Sequence, residues 1–305
     1  MVGRRLCSES EAIDRGFGGL DCARRRQVLR ETIAAFEEAD PSDRYHRSAR
    51  TNLDRWRSNS HVAQSGVRVE LHAGDWGDVT RALTVAHGMC FAVLNMANAY
   101  IPGGAYVEGA IAQEENMYRR TDCHFRIGED DYDHTLDRYH PAMTRLLSAQ
   151  DGLVFLDEKQ PRVCIRGPED RSRRDLGYDW LSEDQMFPFF ELRAAAQDLR
   201  SGSDFEPDDA RRRISAQLDT LRVRQIRHVV LGAFGCGAFQ NPAHRVAAIY
   251  REEIIARAAE LDVVAFAIFS AGYGPDNFTP FVEAFSTGQA SPAAVVRDLG
   301  RPQKG

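Results

Sequence analysis

The sequence predicts an α/β fold in which a mixed sheet is sandwiched between helices. Short apolar runs alternate with longer amphipathic segments from residue 67 to about residue 270. Runs such as CFAVLNMANA, which begins at Cys90, are typical of strands that are buried on both faces. With 43% hydrophobic and 28% charged residues, the composition is that of a globular protein and excludes wholesale disorder and fibrous repeats.

The first elements are predicted to be helices, within residues 20–62. In the stretch ARRRQVLRETIAAFEEAD, the apolar residues Val28, Leu29, Ile33 and Phe36 recur at helical spacing. The tripeptide DPS that follows is expected to end this helix. The sequence therefore predicts a helical extension that precedes the sheet.

Strands and helices then alternate along the chain. The predicted strands are VRVELH, the run CFAVLNMANA, two short strands LVFL and RVCIR between residues 153 and 166, IRHVVLGAF and VVAFAIFSA. The predicted helices are GDWGDVTRAL, PFFELRAAAQDLR, DDARRRISAQLDTLRVRQ and AHRVAAIYREEIIARAAE. This order divides the chain into an N-terminal helical extension (1–66) packed on a core (67–287), followed by a loosely ordered tail (288–305).

Composition also limits the setting and the partners. Six cysteines occur without CxxC spacing, which favours free thiols in a reducing compartment and argues against a metal site. We expect a cytoplasmic protein, because no apolar run is long enough for a membrane span and the first residues lack a signal sequence. We also expect a monomer. The net charge of −6 argues against direct nucleic-acid affinity, although not against a small phosphorylated ligand.

One candidate site follows the second predicted strand, in the stretch NMANAYIPGGAYVEGAIAQEENMYRR. A turn at Gly103 and Gly104 allows backbone to approach a ligand closely. Beyond it, Glu114 and Glu115 offer two carboxyl groups, which suits the cleavage of an acetal-type bond if one is protonated and the other ionised. An ordinary turn, followed by acidic residues at the start of a helix, is the alternative.

A second candidate site lies in HVVLGAFGCGAFQNPAHRVAAIY, which reads as strand, glycine-rich loop and helix. Asn241 is the expected N-cap of that helix and Pro242 its first residue. Loop amides beside a helix N-terminus form an anion site, and a diphosphate is a natural occupant. The segment matches neither a dinucleotide fingerprint nor a P-loop.

Taken together, the two segments resemble the poly(ADP-ribose) glycohydrolases, more closely the compact bacterial type. That family has a GGG loop, then QEE six to eight residues later, in a macrodomain fold. Here the corresponding residues are Gly103-Gly104-Ala105 and Gln113-Glu114-Glu115. The upstream ANA, the downstream GCGAF and the segment with RETI are also similar. The resemblance covers about residues 25 to 285, patchily between 125 and 185.

The resemblance implies a role for each residue around the glutamates. Glu115 would be the catalytic acid, and Glu114 would hold hydroxyls of the ribose or leaving group. Gln113 would orient the pair, and Asn98 would bind a distal ribose hydroxyl. The remaining substrate-binding residues implied are those of the two glycine loops: Gly103, Gly104, Ala105, Gly235, Cys236, Gly237, Ala238 and Phe239. No metal and no cofactor are implied.

We therefore expect a glycohydrolase with a macrodomain-like catalytic core that releases ADP-ribose from poly(ADP-ribose) or from ADP-ribosylated targets. Two departures from the family pattern leave the acceptor open. Ala105 replaces the third glycine, and Glu108 stands where bacterial members often have glycine. An added carboxylate would suit a cationic acceptor such as ADP-ribosylated arginine. A protein that only binds ADP-ribose is the remaining alternative.

Overall fold

A seven-stranded mixed sheet forms the centre of the molecule in the computed structural model, which describes residues 3–59, 66–270, 274–286 and 294–298. The nine strands in these residues are β1 (Arg68–Ala73), β2 (Ala92–Met96), β3 (Tyr132–Asp133), β4 (Arg138–Tyr139), β5 (Phe155–Cys164), β6 (Phe187–Ala194), β7 (His228–Leu231), β8 (Val263–Ile268) and β9 (Ala294–Asp298). The strand order is β5-β6-β2-β7-β8-β1-β9, and a hairpin of β3 and β4 stands apart. Among the described strands of the seven-stranded sheet, β5 alone runs antiparallel to its neighbour, and the separate β3–β4 pair is also antiparallel.

Helices cover both faces of this sheet. Those in the described residues are α1 (Glu9–Asp14), α2 (Leu20–Ala39), α3 (Arg44–Asn59), α4 (Trp76–His87), α5 (Gln113–Arg120), α6 (Pro141–Leu147), α7 (Pro207–Val223), α8 (Ala243–Ala256) and α9 (Thr279–Ser286). Apolar residues of α7, α8 and α9 form one core cluster with the sheet, and those of α2, α3 and α4 form another.

The pleat of the strands explains these two cores. In β2, Leu94 faces the cluster beneath α7 to α9, whereas Val93 faces the cluster beneath α2 to α4. In β8, Phe266 and Ala265 divide in the same way. Successive side chains of a strand point to opposite faces, so a sheet covered on both sides needs continuous apolar runs. The predicted α/β sandwich with N-terminal helices is confirmed.

One predicted helix is wrong. Most of PFFELRAAAQDLR lies in strand β6, which is hydrogen-bonded between β5 and β2. The segment contains good helix formers, but its Phe189 and Leu192 are fully buried on opposite faces of the sheet. Burial between two neighbouring strands therefore overrides the intrinsic preference of the segment.

Three smaller expectations also change. LVFL and RVCIR contribute to one strand, β5, whose register against β6 shifts between Asp157 and Arg162. Helix α8 begins at Ala243 without a side-chain cap, because the Asn241 amide donates to loop carbonyls instead. Within the expected loose tail, Ala294–Asp298 forms an edge strand parallel to β1. The remainder of that tail lies outside the described residues, and the boundary at residue 67 stays a prediction.

Buried charges link β5, β6 and β2. The Glu191 carboxylate accepts from the guanidinium groups of Arg162 and Arg193, at 2.8 and 2.7 Å, and from the Asn95 amide at 2.8 Å. All four side chains are essentially inaccessible to solvent. Although burial opposes its charge, Arg193 and Arg162 lower the pKa of Glu191 to about 2. The network stays charged at neutral pH and joins three strands.

Replacing Glu191 by glutamine should destabilise the fold strongly, because it leaves the buried Arg193 guanidinium without a counter-charge and Arg162 with Asp157 alone. We expect a loss of about 3 to 5 kcal/mol in the free energy of unfolding. Glu183→Gln is the matched control, since the exposed Glu183–Arg44 pair should contribute at most about 1 kcal/mol. Urea unfolding of both variants measures the difference, and equal losses would contradict this account of the network.

Candidate active site

The two candidate segments meet at one edge of the sheet. Strands β2 and β7 are parallel neighbours, with Ala92 opposite Val229 and Val93 opposite Val230. Their carboxyl ends therefore lie side by side, and both candidate loops leave the sheet there. In open α/β sheets this edge is the usual position of ligand sites. The structure thus brings together segments that are more than 100 residues apart in the sequence.

The first loop packs its backbone against the glutamates. Gly103 and Gly104 both have positive φ, at 72° and 57°. A Cβ on Gly104 would lie 2.4 Å from Glu115 Oε1, and one on Gly103 would lie 2.5 Å from the Tyr106 ring. Backbone conformation and space both require glycine at these two positions. The predicted close approach of this loop is therefore a contact with the carboxylates themselves.

Both carboxylates are buried and accept hydrogen bonds from loop amides. Glu114 accepts from the Asn98 N–H at 2.7 Å on Oε2 and from the Gly103 N–H at 3.1 Å on Oε1. Glu115 accepts from the Ala105 N–H at 3.1 Å on Oε1. No other residue that the structure describes donates to its Oε2. The two side chains thus differ in how many of their oxygens are occupied.

Burial acts on both acidic groups in the same direction. It raises the pKa of Glu115, and it raises the pKa of Glu114 well above the ordinary value, with the neighbouring Glu115 adding to the effect. Donation from loop amides opposes this rise in both. A proton on either oxygen of Glu114 weakens that oxygen as an acceptor for its amide donor, whereas Glu115 Oε2 can carry a proton without that loss. The pair is arranged to share one proton unequally.

Gln113 and Asn98 support the backbone around the glutamates. Gln113 accepts from the Met96 N–H and donates to the Leu94 carbonyl, both at 2.9 Å, which fixes the start of α5 on the end of β2. The Asn98 side-chain oxygen accepts from the amides of Tyr100 and Ile101 and shapes the loop. Its side-chain amide donates to no residue within the described ranges.

The second loop has a different construction. Gly235 has a φ of 73°, and its Cβ would lie 2.5 Å from the Ala196 Cβ, so glycine is required there. Gly237 is exposed, and a Cβ there would meet nothing within 4 Å. The Asn241 amide holds the loop through the carbonyls of Gln197 and Gly235, at 2.7 and 3.1 Å. The loop is thus held by Asn241 and is exposed to solvent at Gly237.

Backbone amides of this loop differ in availability. The Cys236 N–H donates to the Ala233 carbonyl at 3.0 Å, so this amide is already used within the loop. Burial also raises the pKa of the Cys236 thiol to about 12, which suits packing rather than nucleophilic chemistry. Among the described residues, no acceptor is hydrogen-bonded to the amides of Gly235, Gly237, Ala238 and Phe239. Four amides remain available to an anion.

Glu108 does not face an acceptor, contrary to the possibility raised by the sequence. Its side chain is 5% exposed and pairs with Arg15 at 2.5 Å, with Arg4 at 3.8 Å. Its backbone carbonyl accepts from Arg26 at 2.9 Å. Glu108 therefore binds arginines of the N-terminal extension. Its burial removes the argument it gave for a cationic acceptor.

Sequence reasoning missed two arginines of the site. Arg4 donates to the carbonyl oxygens of Pro102 and Gly104 in the first loop. Arg200, in the segment after β6, stands over the Phe239 ring at 5.0 Å and pairs with Asp198. Neither arginine lies in a motif, and each is distant in sequence from its contacts. Arg200 follows β6, which is parallel to β2 and ends at the same edge of the sheet. This position in the sequence could have indicated that Arg200 lies near the site.

Comparison with known proteins agrees with this geometry. Residues 19–148, which include the first loop and both glutamates, match the family model described as the microbial-type PARG catalytic domain, PARG being poly(ADP-ribose) glycohydrolase. The resemblance to the bacterial type that the sequence predicts is thereby confirmed, and it indicates a hydrolase of glycosidic bonds. No curated protein matches the chain.

Solved structures of poly(ADP-ribose) glycohydrolases share the fold of this chain. Poly(ADP-ribose) glycohydrolase from Thermomonospora curvata is 23% identical, with a TM-score of 0.60, and the match covers 86% of this chain and 99% of that one. The structure of the enzyme bound to the inhibitor ADP-HPD is 22% identical, with a TM-score of 0.58 and the same coverage of both chains. The Deinococcus radiodurans enzyme in complex with ADP-ribose is 22% identical, with a TM-score of 0.52, and the match covers 79% of this chain and 92% of that one.

The described residues contain no cluster of three or more His, Cys, Asp or Glu side chains that could hold a metal ion. The helices within the same residues include none with the length and apolar character of a membrane span.

Gly104→Ala should disable the candidate active site. The added methyl group overlaps Glu115 Oε1 and the backbone has a positive φ, so the carboxylate must move. A displacement of about 1 Å can cost on the order of 10²-fold in rate. Gly237→Ala is the control for the fold, because its methyl group enters open space. Steady-state hydrolysis and thermal unfolding of both variants test this; unchanged turnover in Gly104→Ala would contradict it.

Proposed function

We propose that this protein cleaves the glycosidic bond at the anomeric carbon of the distal ribose in poly(ADP-ribose) and releases ADP-ribose. The observation that carries the proposal is the asymmetric pair of buried carboxylates. Glu114 has an amide donor on each oxygen, whereas Glu115 has one oxygen without such a donor. The pair lies at the sheet edge that also carries the open amides of the second loop. Acetal cleavage requires one protonated and one ionised carboxyl group.

Glu115 acts as the general acid in this scheme. Its proton passes to the ribose oxygen that leaves, and the bond between that oxygen and the anomeric carbon breaks, with the electron pair staying on the oxygen. The Glu115 carboxylate then takes a proton from the water that attacks the anomeric carbon. The enzyme ends in its starting protonation state, and one water is consumed for each ADP-ribose released.

Glu114 is the ionised member of the pair when Glu115 carries the shared proton, and it positions the substrate. Each of its oxygens keeps a lone pair beside the one that accepts from an amide, so it can accept from ribose hydroxyls. Its negative charge also favours the oxocarbenium-like transition state. Gln113 contributes by holding the start of α5 on β2, and Asn98 contributes by closing the turn that brings the Gly103 amide to Glu114.

The second loop holds the diphosphate of the substrate. The amides of Gly235, Gly237, Ala238 and Phe239 supply donors, and the Cys236 amide is left out because it is bonded to Ala233. The half-buried ring of Phe239 packs against the ribose, with Arg200 above it as a further cation. A diphosphate at this place is negatively charged and lies near the developing positive charge.

No observation favours arginine-linked mono-ADP-ribose over the polymer, since Glu108 is enclosed by Arg4 and Arg15. The second candidate function is therefore not retained. We further propose that the protein acts in the cytoplasm as a monomer. Six free cysteines, three of them fully or almost fully buried beside the sheet, suit a reducing compartment.

Glu115→Gln should abolish most of the hydrolysis. Glutamine keeps the shape of the side chain but cannot give and take a proton, so turnover of labelled poly(ADP-ribose) should fall by on the order of 10² to 10⁴. Affinity for ADP-ribose, measured by calorimetry, should change little, because the second loop is untouched. The exposed Glu252→Gln serves as control. Wild-type turnover in Glu115→Gln would remove Glu115 from the mechanism.

The dependence of kcat on pH should show a protonated acid. Because burial raises the pKa of Glu115, the carboxyl keeps its proton above the usual range of glutamate. The reaction should therefore slow as the pH rises beyond the raised pKa of Glu115. The two glutamates titrate as a coupled pair, so the fall of kcat with rising pH reports an apparent pKa of the pair. If kcat instead increased with pH over this range, Glu115 would act first as a base.

A further inference from the structure

Arg4 contacts the glycine loop from the N-terminal segment of the chain. Its side chain is 3% exposed, and its Nη1 donates to the Gly104 carbonyl at 2.6 Å and to the Pro102 carbonyl at 3.4 Å. The two carbonyls belong to the Gly104–Ala105 and Pro102–Gly103 peptide units. The N–H of each unit donates a hydrogen bond to one of the two glutamates.

The first unit links Arg4 to Glu115. The Gly104 carbonyl accepts from Arg4, and the Ala105 N–H at the other end of the same peptide bond donates to Glu115 Oε1 at 3.1 Å. A peptide unit is planar, so fixing the direction of its carbonyl also fixes the direction of its N–H. The guanidinium therefore determines where the Ala105 N–H points, and with it where Glu115 is held.

The second unit repeats the arrangement for Glu114. The Pro102 carbonyl accepts from the same Arg4 nitrogen, and the Gly103 N–H donates to Glu114 Oε1 at 3.1 Å. One nitrogen atom thus contacts two peptide units, each of which carries an amide donor to one glutamate. A positive charge on the carbonyl side also polarises each unit and strengthens its N–H as a donor.

Other contacts fix the guanidinium itself. Arg4 Nε and Nη2 donate to the two oxygens of Asp137, at 2.8 and 2.6 Å, and the group stands over the Tyr106 ring at 5.5 Å. The loop, by contrast, contains two glycines with positive φ, whose peptide units rotate easily when nothing restrains them. Rotation of the Gly104–Ala105 unit would turn its N–H away from Glu115.

We propose that Arg4 is a positioning residue for the glutamate pair, acting through the two peptide units of the glycine loop. Arg4 touches neither the carboxylates nor the expected place of the substrate. The inference rests on the proposed function, since it assigns Arg4 to the orientation of the groups that catalyse the reaction. It also gives the N-terminal segment a direct part in catalysis.

Arg4→Met tests the proposal, because methionine fills part of the space but donates no hydrogen bond. We expect kcat for poly(ADP-ribose) to fall by on the order of 10²-fold, as for a misplaced catalytic group. The KM, and the Kd for ADP-ribose, should stay within about threefold, since the second loop holds the diphosphate. Unchanged kcat, or a loss confined to KM, would overturn the inference.

Two variants separate positioning from stability. Arg5→Met changes the neighbouring arginine, which is exposed and pairs with Glu11, and should keep the native kcat. Asp137→Asn weakens the partly buried ion pair with Arg4 but leaves the Arg4 donors to the loop in place. It should lower the thermal midpoint as Arg4→Met does and retain far more of kcat. Equal kcat losses in Asp137→Asn and Arg4→Met, at equal stability, would contradict a positioning role.

If Arg4→Met does not fold, Arg4→Lys decides the matter. Lysine keeps the charge, but its single ammonium group cannot reach both carbonyls and Asp137 together. A folded Arg4→Lys with native kcat would overturn the inference, and one with reduced kcat and native Kd would support it. Glu115→Gln tests the proposed function separately: if that variant is fully active, the mechanism is wrong whatever Arg4 does. Inactive Glu115→Gln beside fully active Arg4 variants would overturn the role of Arg4 alone.

Discussion

The contact between the glycine loop and the first turn of α5 is the constraint on which the rest of the site depends. Two buried carboxylates, on consecutive residues, lie against backbone with no space for a Cβ at Gly104. Loop amides must then supply the hydrogen bonds that water would otherwise give, since a buried charge without partners is very costly. The turn at Asn98 and the contacts of Gln113 with β2 follow from this need, because they place loop and helix at the required separation.

The same contact explains how one pair of identical side chains can take the two proposed roles. Burial raises the pKa of both carboxyl groups, that of Glu114 more strongly, so burial by itself does not single out Glu115 as the acid. The number of amide donors distinguishes the two glutamates. A carboxylate that accepts an amide hydrogen bond on each oxygen binds a proton less readily than one that accepts on a single oxygen. Such a site costs stability, since two acidic groups are held in a place that favours neutral ones. The charged network around Glu191 is better satisfied, with three donors on one buried carboxylate.

The sequence predicted those features that depend on local pattern. Apolar runs located β2 and β8, and the PGG turn with QEE located the glutamates, because both signals lie within a few residues. It failed where distant residues decide the outcome. In β6, strand pairing and the buried Glu191 override a segment of helix formers. Glu108 looked available to a ligand, but its arginine partners lie about 90 to 100 residues earlier. Arg4 carried no signal for the same reason, as nothing near it in the sequence indicates a loop at Gly104.

The N-terminal extension is therefore part of the site, although the sequence pattern changes at residue 67. Arg26 donates to the Glu108 carbonyl at 2.9 Å, and Thr32 donates to the Arg119 carbonyl at 2.8 Å, at the two ends of the segment that contains both glutamates. Leu29 also lies in the core cluster that includes Val93 of β2. Without α2, buried carbonyls on either side of α5 would lose these donors, and one face of the sheet would lose its cover. The helices that precede the sheet thus hold the catalytic segment in place, and the site and its support form one cooperative unit.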